Sequence, residues 1–218
     1  MSSIPEVSVI IPAKNSMNFI GRCLRSLISQ NFDRNKYEII LVNDKSTDET
    51  KKTITPYLKE LVYIENKRNL GLPASLNVGI KKARGQFIVR VDSDDWVHKE
   101  YLQILYNFLN LNNEIDAVSC DYCVMDKNQK ILSKENCEKK PIGCGVMFRS
   151  IQLIKIGLYD KKMMSSGDED LFIRFKRKYE IFRLPIPLYR YIRHTNNMTN
   201  NKRYLKKYEK KLFKKHNL

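Results

Sequence analysis

Short apolar runs alternate with helical patterns through the first half of the chain. The runs that read as strands are 7–11, 37–42, 61–64 and 86–91. Amphipathic patterns of helical period follow them, for example the stripe that contains Leu24 and Leu27. This alternation predicts βαβ units and a mainly parallel sheet. We therefore expect an α/β fold with helices on both faces of a Rossmann-like sheet.

Local signals indicate where two of these helices begin. Ser46 and Glu49 have the spacing of a capping box, which predicts a helix that opens at Ser46. Pro73 suits the first turn of a second helix, which continues through Leu76 and Ile80.

Polar residues follow the ends of three predicted strands. Lys14, Asp44 and the cluster that starts at Asp92 each lie just past such an end. In open α/β sheets, ligands bind at the carboxyl ends of the strands. The three segments are therefore expected to face one crevice.

The cluster itself places three carboxylates, Asp92, Asp94 and Asp95, within four residues. Crowded like charges raise one another's pKa unless a cation compensates them. Hard oxygen ligands at this spacing suit Mg²⁺ or Mn²⁺, which complete their coordination with water and substrate phosphates. Because neither a P-loop nor a G-x-G-x-x-G motif occurs, we expect metal and basic side chains to hold the phosphate.

With 218 residues, the chain has material for one sizeable domain and a tail. We place the domain at residues 1–200 and a basic tail at 201–218. The formal net charge of +16 implies an anionic partner. Residues 202–215 contain eight basic side chains and a single acid, so the tail carries much of this excess.

Within the tail, Leu205, Tyr208 and Leu212 share one helical face among lysines. This pattern is typical of an interfacial helix on anionic lipid, and a plain solvated helix is the alternative. Lipid contact would suit a lipid-linked acceptor.

No run approaches the roughly 20 apolar residues of a membrane span, and no leader pattern precedes the first strand. The expected location is the cytoplasm, with peripheral contact at the inner face of the membrane left open. Five cysteines fit that compartment as buried, inert thiols. The C-x-x-C pair Cys120 and Cys123 could also be read as part of a zinc site, but positions three apart on a strand point to opposite faces.

Seven segments in order resemble the family 2 glycosyltransferases of the GT-A fold, over about residues 5–200. They are VSVIIPAKN (7–15), LVNDKSTDET (41–50), NLGLPASLNVGIKKARGQFIVRVDSDD (69–95), GVMFRS (145–150), IGLYD (156–160), GDEDLFIRF (167–175) and PLYRYIRHTNNMT (187–199). The resemblance implies a single GT-A domain. It also implies inverting transfer of a sugar from a nucleotide sugar, most simply a UDP-sugar, to a hydroxyl of a glycan or lipid-linked acceptor in bacterial surface polysaccharide assembly.

The resemblance also assigns roles to individual residues. Asp94 would contact the metal, with His194 beside it, and Asp168 would be the catalytic base. Asp44 would accept a hydrogen bond from a uracil-type base, and Asp92 would contact the sugar or ribose. The remaining substrate-binding positions are Pro12, Lys14, Asn15, Asn69, Ser93, Asp95 and Arg190. A mobile lid is expected between residues 194 and 201.

Two other functions remain as alternatives. A sugar-phosphate nucleotidyltransferase would share the sheet and the metal, but it normally carries a glycine-rich loop where this chain has Pro12 to Asn15. A basic nucleic-acid-binding module would explain the charge, but the chain has no recognition motif for one. We therefore expect no nucleic-acid partner.

Overall fold

The computed structural model describes residues 4–195, 197 and 200–218. Within these ranges, helices pack on both faces of one nine-stranded sheet. The strands are β1 (Val7–Ala13), β2 (Tyr37–Asn43), β3 (Val62–Glu65), β4 (Phe87–Arg90), β5 (Trp96–Val97), β6 (Ala117–Met125), β7 (Ile131–Glu135), β8 (Val146–Arg149) and β9 (Ile181–Ile192). The helices are α1 (Ile20–Ile28), α2 (Thr50–Ile54), α3 (Leu72–Lys82), α4 (Tyr101–Leu111), α5 (Ser150–Lys155), α6 (Gly167–Lys176) and α7 (Lys202–His216).

The sheet has a parallel half and a mixed half. Its strand order is β3-β2-β1-β4-β8-β6-β9-β5, and β7 pairs with β6. The pairs β3/β2, β2/β1 and β1/β4 are parallel, whereas β8 is antiparallel to both β4 and β6. The parallel half is the part that the βαβ pattern predicted, and the α/β fold class is confirmed.

Both faces of the central strands are covered, which explains their nearly continuous apolar sequences. Every residue of β1 and β2 is buried. Residues of α1 and α4 pack on one face of the sheet, and residues of α3, α5 and α6 pack on the other. Strands buried on both faces have apolar runs rather than alternation, as parallel sheets require.

One glycine allows α3 to pack closely on the sheet. A Cβ atom at Gly79 would lie 2.6 Å from Ile10 Cγ2 and 3.2 Å from Val42 Cγ2. Only glycine leaves room for this approach of helix to strands. The first turn of α3, with Pro73 in its predicted place, thereby reaches the carboxyl ends of β1 and β2.

The capping-box prediction at Ser46 is wrong. Helix α2 begins at Thr50, four residues later, and Ser46 Oγ instead accepts a hydrogen bond from the Asn15 backbone N–H at 3.0 Å. Asp48 Oδ1 accepts from the Thr50 N–H at 3.0 Å. The segment 44–49, which follows β2, therefore forms a loop that is hydrogen-bonded to the turn after β1, and it does not start a helix.

The prediction of buried thiols is confirmed. Cys23, Cys120, Cys123, Cys137 and Cys144 are all buried and none is in a disulfide. Burial raises the pKa of the Cys120 thiol above its ordinary value, as expected for an inert thiol.

The basic tail forms helix α7, and its apolar side is buried against the domain. Tyr208 is 9% exposed and Leu212 is 4% exposed. The interfacial-helix interpretation is therefore wrong for this face, because the residues expected to enter lipid are already covered. Among the helices of the described ranges, none combines the length and apolar character that crossing a bilayer requires.

The last turn of α7 attaches to α6. Asp170 of α6 is fully buried, and its Oδ1 lies 2.6 Å from Lys215 Nζ and 2.8 Å from His216 Nε2. Arg174 Nη2 binds the other oxygen at 2.9 Å. The last turn of α7 thus contacts α6 at Asp170, which lies two residues after Asp168 in the sequence.

Candidate functional site

A cavity of about 610 Å³ opens at the carboxyl ends of the parallel strands. Its lining includes eight residues predicted from the sequence: Pro12, Lys14, Asp44, Asn69, Asp92, Ser93, Asp94 and Asp168. The three strand ends thus meet at one cavity, as predicted. The cavity also brings together the acidic cluster and a carboxylate more than seventy residues away in sequence.

Four predicted positions, Asn15, Asp95, Arg190 and His194, are not among the described lining residues, and the first and third of these, Asn15 and Arg190, bind nearby backbone or turn groups. Asn15 Oδ1 accepts a hydrogen bond from the Thr47 N–H at 2.8 Å, and Asn15 adopts a positive φ of 50° in that turn. Arg190 Nη1 donates to the Pro187 carbonyl at 2.6 Å. Both side chains hold local backbone, so a substrate contact for either stays a prediction.

Arg90, at the end of β4, connects the two acidic groups of the cavity. Its Nε and Nη2 donate to Asp92 at 2.6 and 2.9 Å, and its Nη1 donates to Asp168 Oδ1 at 2.7 Å. The residue is only 7% exposed. A planar guanidinium presents donors in a fixed fork, so it fixes the orientation of both carboxylates as well as neutralising charge.

Asp168 lies in the first turn of α6 and its carboxyl faces the cavity. A Cβ atom at Gly143 would lie 2.0 Å from Asp168 Cγ, so the carboxyl fills space that only glycine leaves. Burial raises the pKa of the Asp168 carboxyl above its ordinary value, and the Asp92 charge raises it further. Arg90 and a hydrogen bond with the Tyr159 side chain lower this pKa but do not cancel the effect of burial. A carboxyl with a raised pKa, held in a cavity, suits a general base.

Asp94 also lines the cavity and pairs with His194. Asp94 Oδ2 is 2.8 Å from His194 Nε2, and the imidazole ring stacks on Phe19 at 4.7 Å between centroids. The Asp94 side chain is 27% exposed. His194 itself is not among the described lining residues, but its imidazole contacts Asp94, which is one of them.

Two sets of ligand atoms could hold a divalent cation. One is Asp94 with His194, and the other is Asp92 with Asp95 and Cys144. Asp92, Asp95 and Cys144 have ligand atoms within 4.8 Å of one another. Asp95 is 1% exposed and accepts from Tyr189 Oη at 2.8 Å. The Cys144 thiol donates to Asp92 Oδ2 at 3.1 Å, and burial raises its pKa well above the usual range.

The chemistry of these donors favours Asp94 with His194. A protonated, buried thiol is a poor ligand for a hard cation. Burial and the neighbouring Asp94 and Asp92 charges also raise the pKa of Asp95 well above its ordinary value, which disfavours its ionised form. A cavity-facing carboxylate with an imidazole beside it fits Mn²⁺ or Mg²⁺ better.

Asp44 organises the loop that leads into α3. Its Oδ1 accepts from Asn66 Nδ2 at 2.8 Å and from the Leu70 N–H at 2.7 Å. Its Oδ2 accepts from the Gly71 N–H at 2.8 Å. An ionised carboxylate offers about four acceptor positions, so Oδ2 retains capacity for one further donor.

The remaining predicted residues also line the cavity. Ser93 Oγ lies 2.7 Å from Ser16 Oγ, and Asn69 Oδ1 accepts from the Gly71 N–H at 3.1 Å. Lys14 Nζ donates to the Lys45 carbonyl. Part of the predicted lid, residues 196, 198 and 199, lies outside the described residues.

The sequence reasoning missed several residues of the site: Arg90, Gly143, Cys144, Tyr159 and Leu205. Their roles depend on partners distant in sequence, such as Asp168 for Arg90. One local signal was available, because Arg90 is a charged residue inside an otherwise apolar strand run. Such a residue requires a buried anionic partner.

The chain matches the model of the family described as glycosyl transferase family 2 over residues 8–179. An uncharacterized glycosyltransferase of Rickettsia prowazekii is 32% identical over 196 residues, which is 82% of this chain and 61% of the relative. A poly(ribitol-phosphate) beta-glucosyltransferase of Bacillus spizizenii is 42% identical over 111 residues, which is 49% of this chain and 18% of the relative.

Solved structures share the fold at low sequence identity. Residues 1–349 of TarS from S. aureus in complex with UDP-GlcNAc superpose with a TM-score of 0.76 at 22% identity, over 90% of this chain and 61% of that one. A mannosyltransferase from Pyrobaculum calidifontis in complex with GDP-Man and Mn²⁺ gives a TM-score of 0.77 at 17% identity, over 98% and 64%.

The chain thus spans about three fifths of the length of the first curated relatives that it matches. The family model nevertheless covers most of it, from β1 to the end of α6. The acidic cluster after β4 and the carboxylate of α6 fall within that match, whereas β9 lies beyond it. The chain belongs to glycosyl transferase family 2 and has the GT-A fold of its structural neighbours.

Proposed function

We propose that this domain transfers a sugar from a nucleoside-diphosphate sugar to an acceptor hydroxyl, with inversion at the anomeric carbon. The donor is most simply a UDP-sugar and the acceptor a hydroxyl of a glycan or lipid-linked glycan. The observation that carries the proposal is that Asp168 and Asp94 line the same cavity. A base and a diphosphate site must share one enclosed space for a direct displacement.

Asp94 and His194 would hold the divalent cation. A cation bound there would supply Lewis-acid stabilisation of the charge that develops on the departing diphosphate. The Mn²⁺ named with the Pyrobaculum calidifontis neighbour supports this assignment.

Asp168 supplies the other half of the reaction. Its carboxylate accepts the proton of the acceptor hydroxyl as that oxygen bonds to the anomeric carbon. The bond from the anomeric carbon to the diphosphate breaks with its electron pair, and the nucleoside diphosphate leaves. General-base assistance of this kind typically contributes 10²–10⁴-fold.

Arg90 acts as a positioning residue in this account. Its fork keeps the Asp168 carboxylate oriented and lowers its pKa against the effect of burial. The same guanidinium binds Asp92, which would contact the sugar or ribose of the donor. The base and the donor are therefore aligned through one buried side chain.

The nucleotide base would lie near Asp44. Its carboxylate already binds the loop 66–71, and the acceptor position left on Oδ2 suits an imino N–H of a uracil. The UDP and UDP-GlcNAc complexes of the TarS neighbours support a UDP-sugar. Two relatives named for poly(ribitol phosphate) glycosylation support a role in surface polysaccharide assembly.

Three further assignments belong to the same proposal. We place the catalytic domain at residues 1–200 and treat 201–218 as a basic appendage to it. We also propose a cytoplasmic location. Contact with the inner face of the membrane would bring the domain to a lipid-linked acceptor.

A donor screen tests the proposal. UDP-, GDP- and CDP-sugars are incubated with the protein, with and without Mn²⁺ or Mg²⁺, and release of the nucleoside diphosphate is measured. We expect release from one nucleotide class and only with metal. Absence of hydrolysis and of thermal stabilisation by every donor would reject the proposal.

The matched variant is Asp168→Asn, which preserves the shape of the side chain and removes the base. We expect it to bind the donor as the wild type does and to lose transfer by about 10²–10⁴-fold. Asp126→Asn, on the turn between β6 and β7 and outside the cavity lining, is the control and should retain transfer. Full transfer by Asp168→Asn would remove Asp168 from the mechanism.

A further inference from the structure

The outer surface of α7 is an unusually dense array of positive charge. Besides Lys215, which pairs with Asp160 and Asp170, seven of its basic residues are exposed: Lys202, Arg203, Lys206, Lys207, Lys210, Lys211 and Lys214. Within the described residues, none of these seven forms a salt bridge with an acidic side chain. The 15-residue helix is about 22 Å long, so the charges follow one another along a line.

The helix is held in place at its far end. Lys215 and His216 bind the buried Asp170, and Lys215 also lies 2.7 Å from Asp160 Oδ2. Tyr208 and Leu212 are buried as well. The basic surface therefore has a fixed position relative to α6, which carries Asp168.

The other end of the helix reaches the cavity. Leu205 is one of the residues that line the cavity together with Asp168 and Asp94. Lys206 follows Leu205 directly, and Lys202 lies within one turn of it. The line of positive charge thus begins at the edge of the site and leads away from it.

We infer that the exposed basic surface of α7 binds the acceptor, and that the acceptor is a linear polymer with repeating anionic groups, such as a phosphodiester-linked polyol or glycan. This inference rests on the proposed function. A chain of regularly spaced anions could follow the helix while one of its hydroxyls enters the cavity beside Asp168. Electrostatic attraction along such a line also speeds encounter with a charged partner.

A lipid surface fits the helix less well. Stable interfacial binding needs buried apolar area in addition to charge. The apolar stripe of α7 is buried on the domain, and of its large apolar residues Phe213 is the one with a substantial exposure, at 46%. An anionic polymer in solution can bind through the exposed lysine and arginine side chains of α7 without any apolar contact.

The test compares two sets of four lysines. The helix variant is Lys206→Gln, Lys207→Gln, Lys210→Gln and Lys211→Gln, all on the exposed surface of α7. The matched control is Lys81→Gln, Lys82→Gln, Lys127→Gln and Lys130→Gln, which removes the same charge at exposed positions elsewhere. Circular dichroism checks that both variants keep the fold.

The probe is fluorescently labelled poly(ribitol phosphate), titrated across a salt series, with dextran as the uncharged comparison. We expect the helix variant to bind the probe at least about tenfold more weakly, with a shallower dependence of log K on log [salt], because fewer counterions are released. The control should bind nearly as the wild type does, and dextran should not bind.

Three outcomes would overturn the inference. Equal losses in both variants would show attraction by net charge alone. Loss of binding to phosphatidylglycerol vesicles without loss of binding to the probe would assign the surface to a membrane. Helix-dependent binding that is tighter for duplex DNA than for the probe would assign it to nucleic acid.

Metal-dependent hydrolysis of the donor, measured without acceptor, separates this inference from the proposed function. The helix variant should hydrolyse the donor as the wild type does. If hydrolysis is present but the probe does not bind through α7, the inference fails and the proposed function stands. If no donor is hydrolysed by any version, the proposed function fails, and the inference about the acceptor fails with it.

Discussion

Arg90 Nη1 lies 2.7 Å from Asp168 Oδ1, across 78 residues of sequence. The same guanidinium binds both oxygens of Asp92. The proposed base and the acidic cluster after β4 are therefore held at a fixed distance by one side chain. Such an arrangement keeps the base oriented before the substrate arrives, which is where much of the catalytic advantage of an enzyme site originates.

Arg90→Lys should reduce kcat by about ten- to a hundredfold, because an ammonium cannot reproduce the three-donor fork. The acidic limb of the pH–rate profile should also move to higher pH. The base works when ionised, and Arg90 lowers the pKa of Asp168, so weakening that contact raises the pKa further. The profile of kcat against pH measures both effects.

Arg183→Lys is the matched control, since Arg183 makes a similar fork to Asp121 at 2.8 and 2.6 Å away from the cavity. It should leave the profile unchanged. A purely structural role for Arg90 would be indicated if Arg90→Lys lowered stability but left the position of the acidic limb where it is in the wild type.

Gly143→Ala should impair transfer without weakening donor binding. The added Cβ would lie 2.0 Å from Asp168 Cγ, so the carboxyl must move. Displacing a base by about 1 Å can cost about a hundredfold in rate. Steady-state kinetics should show lower kcat with little change in the Kd for the donor.

The control for that substitution is Gly21→Ala in α1. The new Cβ there would lie 3.3 Å from the flexible end of Arg25 and at ordinary contact distances of 3.8 and 3.9 Å from Thr53 and Tyr57, and the helix gains propensity. Activity should be unchanged. Wild-type kcat in Gly143→Ala would contradict the placement of the Asp168 carboxyl against residue 143.

Asp94→Asn should abolish the metal-dependent part of nucleotide binding. A neutral amide is a much weaker ligand for Mn²⁺ or Mg²⁺ than a carboxylate. Titration calorimetry of UDP with and without Mn²⁺ should show at least about tenfold tighter binding with metal for the wild type, and no such difference for the variant. Asp126→Asn, on the β6–β7 turn, is the control.

Asp170→Asn should destabilise the domain by about 3 kcal/mol at neutral pH, because it leaves Lys215 and His216 without their buried anion. Burial alone would raise the pKa of Asp170, but hydrogen bonds from Lys215 and His216 and the charge of Arg174 lower it overall. A lowered folded-state pKa gives stability that is present above the unfolded pKa of about 3.9 and is lost as the pH falls through the folded value.

Urea unfolding at several pH values measures that dependence. The difference between wild type and Asp170→Asn should shrink as the solution is acidified below about pH 4. Asp160→Asn, which removes only the more exposed partner of Lys215, should have a smaller effect. Equal destabilisation by both variants at all pH values would contradict the role given to Asp170.

The parallel half of the sheet was predictable because each strand is a buried apolar run that ends in polar residues. Val7–Ala13 and Tyr37–Asn43 are such strands, and neither needs distant information to be recognised. Strand β9 was missed because Pro185 and Pro187 interrupt its sequence, and prolines argue against a strand. In the structure the pairing of β6 with β9 shifts register at this point.

The site was predictable to a similar extent. Positions after strand ends converge by the geometry of the sheet alone, which is why Asp44 and Asp92 were found. Asp168 depended on the resemblance, since an acidic first turn of a helix has a simpler electrostatic explanation. The charge of Arg90 inside an apolar run indicates a buried anionic partner, but the sequence does not identify that partner as Asp168, 78 residues away.

The most direct test of the central claim is the crystal structure of Asp168→Asn with a hydrolysable nucleotide sugar and Mn²⁺, with the metal located by its anomalous scattering. The account predicts one manganese site in contact with Asp94 and the diphosphate, and an anomeric carbon that faces residue 168 across the cavity. A nucleotide sugar bound outside this cavity, or manganese remote from Asp94, would contradict it.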